Sequence, residues 1–125
     1  MKIEIELSDR LIENSLHGAL SYGAIRYWCR RVRTVAPDGC EEGHTLNTAS
    51  TPLAGGSIVL TLCEPLKEGG PLDYTLDRAA IERGLKVMLA ASPMQFGALA
   101  SGTKADMTTY DVFVQCCLFS EIVFG

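Results

Sequence analysis

The stretch Asp111-Val112-Phe113-Val114-Gln115-Cys116-Cys117-Leu118-Phe119-Ser120-Glu121-Ile122-Val123-Phe124 is apolar on almost every face. Read at helical period, with Thr108 or Thr109 as cap, it predicts a last helix over about 110–123. A helix without a polar face must be covered on all sides. In a chain of 125 residues this leaves two arrangements. Either the helix runs through the centre of the domain, or one face meets a second copy of the chain, with Phe113, Leu118, Phe119 and Ile122 as the interface. The second arrangement makes the protein a homo-oligomer.

Working back from that helix, Ser92-Pro93 pairs a cap with a first-turn proline and predicts a short helix to about Ala100, broken at Gly102. Thr75 or Asp77 caps a helix to about Ala91, with Ile81, Leu85, Met88 and Leu89 on one face. Ile58-Val59-Leu60-Thr61-Leu62-Cys63 reads as a buried strand, ended by Glu64-Pro65, and Gly69-Gly70-Pro71 marks a turn. Residues 36–57 form a long polar loop, of a length usually tied to function or mobility. Ile25, Tyr27, Trp28, Val32 and Val35 favour a strand over 24–35. Ser8 caps a helix over about 9–20, and alternation over 2–7 predicts a further strand with Ile3, Ile5 and Leu7 inward. The expected fold is α+β: a sheet of about three strands with four helices, in a single domain over 1–125.

Composition narrows the function classes. The apolar share is 47% and the charged share 21%, ordinary for a globular domain and wrong for a disordered one. The net charge of −4 argues against general nucleic-acid binding. No run approaches the roughly 18 apolar residues of a membrane helix, and the alternating start is unlike a signal peptide. Five cysteines, an odd count without framework spacing, point to a reducing compartment. The expectation is a cytoplasmic protein without membrane contact.

Recognisable catalytic patterns are missing. The two histidines, His17 and His44, have no zinc-type spacing with the cysteines, so neither a metal nor another cofactor is expected. Cys40 and His44 would make a thiol–imidazole pair, but nothing supplies an orienting group or an oxyanion site. Gly97 to Ala105 departs from a phosphate-binding loop, because Thr103 precedes Lys104, Ala105 follows it, and a helix rather than a strand leads in. Asp106 with Thr108 and Thr109 at the start of the last helix reads as capping rather than as a phosphate site.

One cluster stands out. Arg26, Arg30, Arg31 and Arg33 fall within eight residues, although Lys and Arg total 11 in the whole chain. Tyr22, Tyr27 and Trp28, the sole tryptophan, lie beside them. On a strand over 24–35, alternation puts Arg26, Trp28 and Arg30 on one face and Tyr27, Cys29, Arg31 and Arg33 on the other. Guanidinium forks match phosphate oxygens, and an indole offers a base a stacking surface. The plainer alternative is a structural strand, with its arginines paired to neighbouring carboxylates and Trp28 in the core.

Ser21-Tyr22-Gly23-Ala24-Ile25-Arg26-Tyr27-Trp28-Cys29 and the stretch Asp111 to Gly125 together resemble a family of small uncharacterised phage- and prophage-encoded proteins. That family carries a Gly-Gly-Ile-x-Tyr-Trp pattern and an ending like Leu-Phe-Gly-Glu-Ile-Val-Tyr-Gly. The chain departs from it at Ala24, Ser120 and Phe124. The likeness implies a phage accessory protein acting in the host cytoplasm and no particular chemistry; small phage proteins of this size often counter host defence, some of them by sequestering nucleotide-type immune signals without cleaving them.

The leading expectation is therefore a non-catalytic binding protein for a small anionic nucleotide-like ligand. Its site would comprise Tyr22, Arg26, Trp28, Arg30, Arg31, Arg33 and His44, with the 36–57 loop closing over it. The alternatives are a protein–protein inhibitor of a host defence enzyme and a small hydrolase using Cys40 and His44.

Overall fold

The computed structural model describes residues 6–21, 23–42 and 48–125. The predicted strand over 2–7 lies almost wholly outside these residues. The described chain has an α+β fold, in the order α1 (Asp9–Ser21), β1 (Cys29–Val35), β2 (Glu41–Glu42), a 3-10 helix (Thr48–Ala54), β3 (Ser57–Leu62), β4 (Asp73–Leu76), α2 (Arg78–Ala91), α3 (Pro93–Ser101) and α4 (Met107–Phe119). The strands form one antiparallel sheet in the order β2-β1-β3-β4.

The helices start where local chemistry places them. The Ser8 hydroxyl accepts the Leu11 N–H at 3.1 Å, and the Asp77 carboxylate accepts the Ala80 N–H at 2.8 Å. Pro93 occupies the first turn of α3, and Gly102 ends it at φ 69°. Asp106, rather than Thr108 or Thr109, caps α4, in a reciprocal box with Thr109.

The helix α4 runs through the centre. Val112, Phe113, Val114, Cys116 and Cys117 are buried, packed against α1, α2 and α3 and against β4. Phe113 is fully buried by its own chain, so it is not an interface residue, and the covering of α4 needs no second copy. Leu118 and Phe119 are half-buried against the same core, and Ile122 is exposed. α2 crosses α4 closely at Gly84, where a Cβ would stand 2.5 Å from Cys117 Cα. The inner sheet face supplies Ile58, Leu60, Leu62 and Leu76 to the same core.

Further sequence expectations change. The strand predicted over 24–35 begins only at Cys29; residues 24–28 form a tight turn in which the Cys29 N–H donates to the Ile25 carbonyl at 2.9 Å. Ile25 and Trp28, one helical turn apart, both enter the core there, which accounts for their apolar character without a strand. The 36–57 loop contains β2 and the 3-10 helix, whose Thr48, Ala49 and Pro52 are buried. Thr75 is not a cap but part of β4, which pairs with β3. The last helix stops at Phe119, where Ser120 takes φ 56° and turns the remaining residues back.

Candidate functional site

The end of the chain explains Trp28. Its indole is 2% exposed, and its Nε1–H donates to Asp111 Oδ1 at 2.8 Å. Phe124 stacks on it with centroids 5.5 Å apart and planes 8° apart, and Phe119 meets it edge-on. The Tyr27 hydroxyl donates to Asp111 Oδ2. Tyr27 is itself 55% exposed. Partial burial there, then the hydrogen bond and charge of Asp111, push the phenol up to about 12.

Gln115 completes this latch. Its Nε2 donates to Asp111 Oδ1 at 2.9 Å and to the Phe124 carbonyl at 3.0 Å. Its Oε1 accepts the N–H groups of Val123 at 2.8 Å and Phe124 at 2.7 Å. A buried amide thus has its bonding capacity used, and the returning tail has its backbone satisfied. Trp28 is therefore a core residue and not a stacking platform for a ligand. The expected Arg26-Trp28-Arg30 row does not form, because residues 26 and 28 precede the strand.

The arginines are arranged by an irregularity in β1. Cys29 pairs with Leu62 while Arg31 pairs with Thr61, so Arg30 is an extra, bulged residue. The bulge breaks alternation, and both Arg30 and Arg31 reach solvent. Beyond it, Arg31 and Arg33 share the outer sheet face with Thr61 and Asp73. These side chains and residues 70–72 line an open groove of about 820 Å³.

The cations there are not equivalent. Arg33 is held by Asp73 at 2.8 Å and Glu41 at 3.3 Å, while its Nε is buried without a hydrogen-bond partner. Asp73 also accepts from the Thr61 hydroxyl at 2.6 Å. That bond first, and then the charges of Arg33 and Arg31, hold its carboxyl below the usual range. Among the described residues, Arg26, Arg30 and Arg31 have no carboxylate within ion-pair distance.

Of the seven residues expected at a site, Arg30, Arg31 and Arg33 meet in this groove. Arg26 sits in the adjoining turn, in a neighbouring cleft that Arg30 and Arg31 also line. Tyr22 and His44 lie outside the described residues, and with His44 goes any geometry for the Cys40–His44 pair. The groove wall facing the arginines is the 70–72 segment, not the described part of the 36–57 loop. Thr61, Asp73 and that wall were missed in the sequence; recognising 57–76 as a hairpin would have paired Thr61 with Asp73 across β3 and β4.

Among the described residues no cluster of three metal-ligating side chains occurs, and no helix is long and apolar enough to cross a membrane. No family model matches the chain, and neither a curated protein nor a solved structure matches it.

Proposed function

We propose that this protein binds a small phosphate-bearing ligand of nucleotide type in the groove between the β1 bulge and residues 70–72, and retains it unchanged. One observation carries the reading. Arg30 and Arg31 are adjacent and exposed on a groove wall, with no carboxylate within ion-pair distance among the described residues. Guanidinium groups without carboxylate partners favour phosphate oxygens, and a basic groove on a chain of net charge −4 concentrates small anions locally. Pro71 and Leu72 give an apolar surface beside them.

Retention rather than turnover fits the lining. Its described residues include no histidine, cysteine or glutamate, and its one carboxylate, Asp73, is engaged by Thr61 and Arg33. The likeness to small phage-encoded proteins supplies a setting for such binding, the removal of a host signal.

The test is calorimetric titration with adenosine monophosphate at low ionic strength. Arg30→Ala and Arg31→Ala should each weaken binding about tenfold or more, the scale of one charge-assisted hydrogen bond. Asp73→Asn should strengthen it several-fold, because it removes a competing negative charge and frees Arg33. Affinity that added salt leaves unchanged, or that survives both arginine substitutions, would remove the groove as the site. Binding of a host protein in place of any phosphate compound would turn the same arginines into a protein-docking surface.

A further inference from the structure

Arg30 and Arg31 line two clefts, not one. On one side lies the groove with Arg33 and residues 70–72. On the other, a cleft of about 540 Å³ opens between β1, the end of α1 and the turn carrying Arg26. The bulge at Arg30 makes this possible, since two consecutive side chains of a regular strand would point to opposite faces. β2 pairs only with Thr34 and Val35, so among the described residues no strand covers that side of β1 from Cys29 to Arg33.

The second cleft is the more one-sided in charge. Its described lining holds three arginines, Arg26, Arg30 and Arg31, and no carboxylate. Gly23, at φ 77°, turns the chain so that Arg26 folds back over it. A Cβ at Gly23 would lie 3.6 Å from Arg26 Nε and 3.7 Å from its Cζ, so the guanidinium rests close to the glycine in the lining of the cleft.

We infer that the ligand carries two separated anionic groups, one seated in each cleft, with the Arg30–Arg31 pair between them. This rests on the anion-binding reading above and narrows it to a class: nucleotides with phosphates on both sides of a nucleoside, as in a dinucleotide. A ligand with one phosphate, or with contiguous phosphates, fills one cleft and leaves the other cations unused.

Three probes separate the possibilities on the full chain. Adenosine monophosphate carries one phosphate, adenosine diphosphate two contiguous ones, and 5′-phosphorylated diadenylate two that flank a nucleoside. The diadenylate should bind about tenfold tighter than the diphosphate, the scale of one further charge-assisted contact. Arg26→Ala, at a solvent-facing turn position, should erase that preference, with circular dichroism confirming the fold. Equal affinity for diphosphate and diadenylate would overturn the two-cleft inference and leave anion binding in place, since only charge count would then matter. A preference that persists in Arg26→Ala would also overturn it. Failure of all three probes to bind would overturn the anion-binding reading itself.

Discussion

Gln115→Leu removes the amide that joins α4 to the returning tail while keeping its volume and its helix propensity close to the original. Four hydrogen bonds go with it: those to Asp111 and the Phe124 carbonyl, and those from the Val123 and Phe124 N–H groups. If the tail stays in place, two backbone donors lose their partner, at about 1–3 kcal/mol each. If it swings into water, the protein loses the burial of Phe124, about 1.5–3 kcal/mol, and its stacking on Trp28, about 0.5–1.5 kcal/mol. The second course limits the loss, so the expected destabilisation is about 3 kcal/mol. At roughly 2.1 cal/mol/K per residue over this chain, Tm should fall by about 11 °C. The sole tryptophan reports the mechanism, because losing Phe124 uncovers a face of the Trp28 indole and shifts its emission to the red in the folded state. Urea unfolding followed by that emission measures both quantities. Phe124→Ala should cost a similar amount, and the double variant little more than either single one, since both release the same tail. A Gln115→Leu protein within about 0.5 kcal/mol of the parent with unshifted emission, or full additivity with Phe124→Ala, would refute the latch.

Gly84→Ala should destabilise by about 1–2 kcal/mol despite its gain in helix propensity, because the new Cβ meets the Cys117 sulfur and backbone, with the amide nitrogen at 2.7 Å. Gly97→Ala, in α3 with nothing within 4 Å, should instead stabilise by about 0.5–1 kcal/mol, and thermal denaturation of the two variants checks the opposite signs. A thiol reagent at neutral pH should titrate two of the five cysteines rapidly, the exposed Cys40 and Cys63; Cys29, Cys116 and Cys117 are buried, and burial pushes the Cys116 thiol up to about 11. Alkali should unmake the Tyr27–Asp111 contact: the folded state holds the phenol proton more tightly than the unfolded chain, so this stabilisation is intact below pH 10 and lost as pH rises toward 12. Ultraviolet titration should show a tyrosine step near pH 12, and Tyr27→Phe should abolish that step.

What the sequence revealed divides along local and non-local chemistry. Ser8, Asp77, Pro93 and Gly102 act within their own turns, so α1, α2 and α3 were legible to within a residue or two. β4 was not, because Asp73-Tyr74-Thr75-Leu76 is a strand only by pairing with β3; alone, Thr75 reads as a cap. The end of α4 was illegible for the same reason: past Ser120 the tail takes three bonds from Gln115 that no local pattern announces. The arginine cluster was visible as composition. Its geometry was not, since one bulged residue shifts every period-two assignment before it, and the turn at 24–28 moves Trp28 from strand face to core.

The stretches Ser21–Cys29 and Asp111–Gly125 are far apart in the chain and meet in the latch. Tyr27 and Trp28 donate to Asp111, Phe124 stacks on Trp28, and Gln115 holds Phe124. Their aromatic and amide side chains therefore serve packing. The exposed arginines at the two clefts lie mostly outside those stretches, at positions 30 and 31. The two groups nevertheless join at one point, since the Trp28 carbonyl accepts the Cys63 N–H at 2.9 Å just before the bulge at Arg30. The expectation is that the latch fixes where β1 begins, and with it the register that turns both Arg30 and Arg31 outward. Variants of Gln115 or Phe124 should accordingly lose stability first, and binding only as the start of β1 loosens. Variants of Arg30 or Arg31 should lose binding at full stability. A latch variant that loosens the Trp28 contacts yet keeps full ligand affinity would show that β3 alone holds the bulge in register.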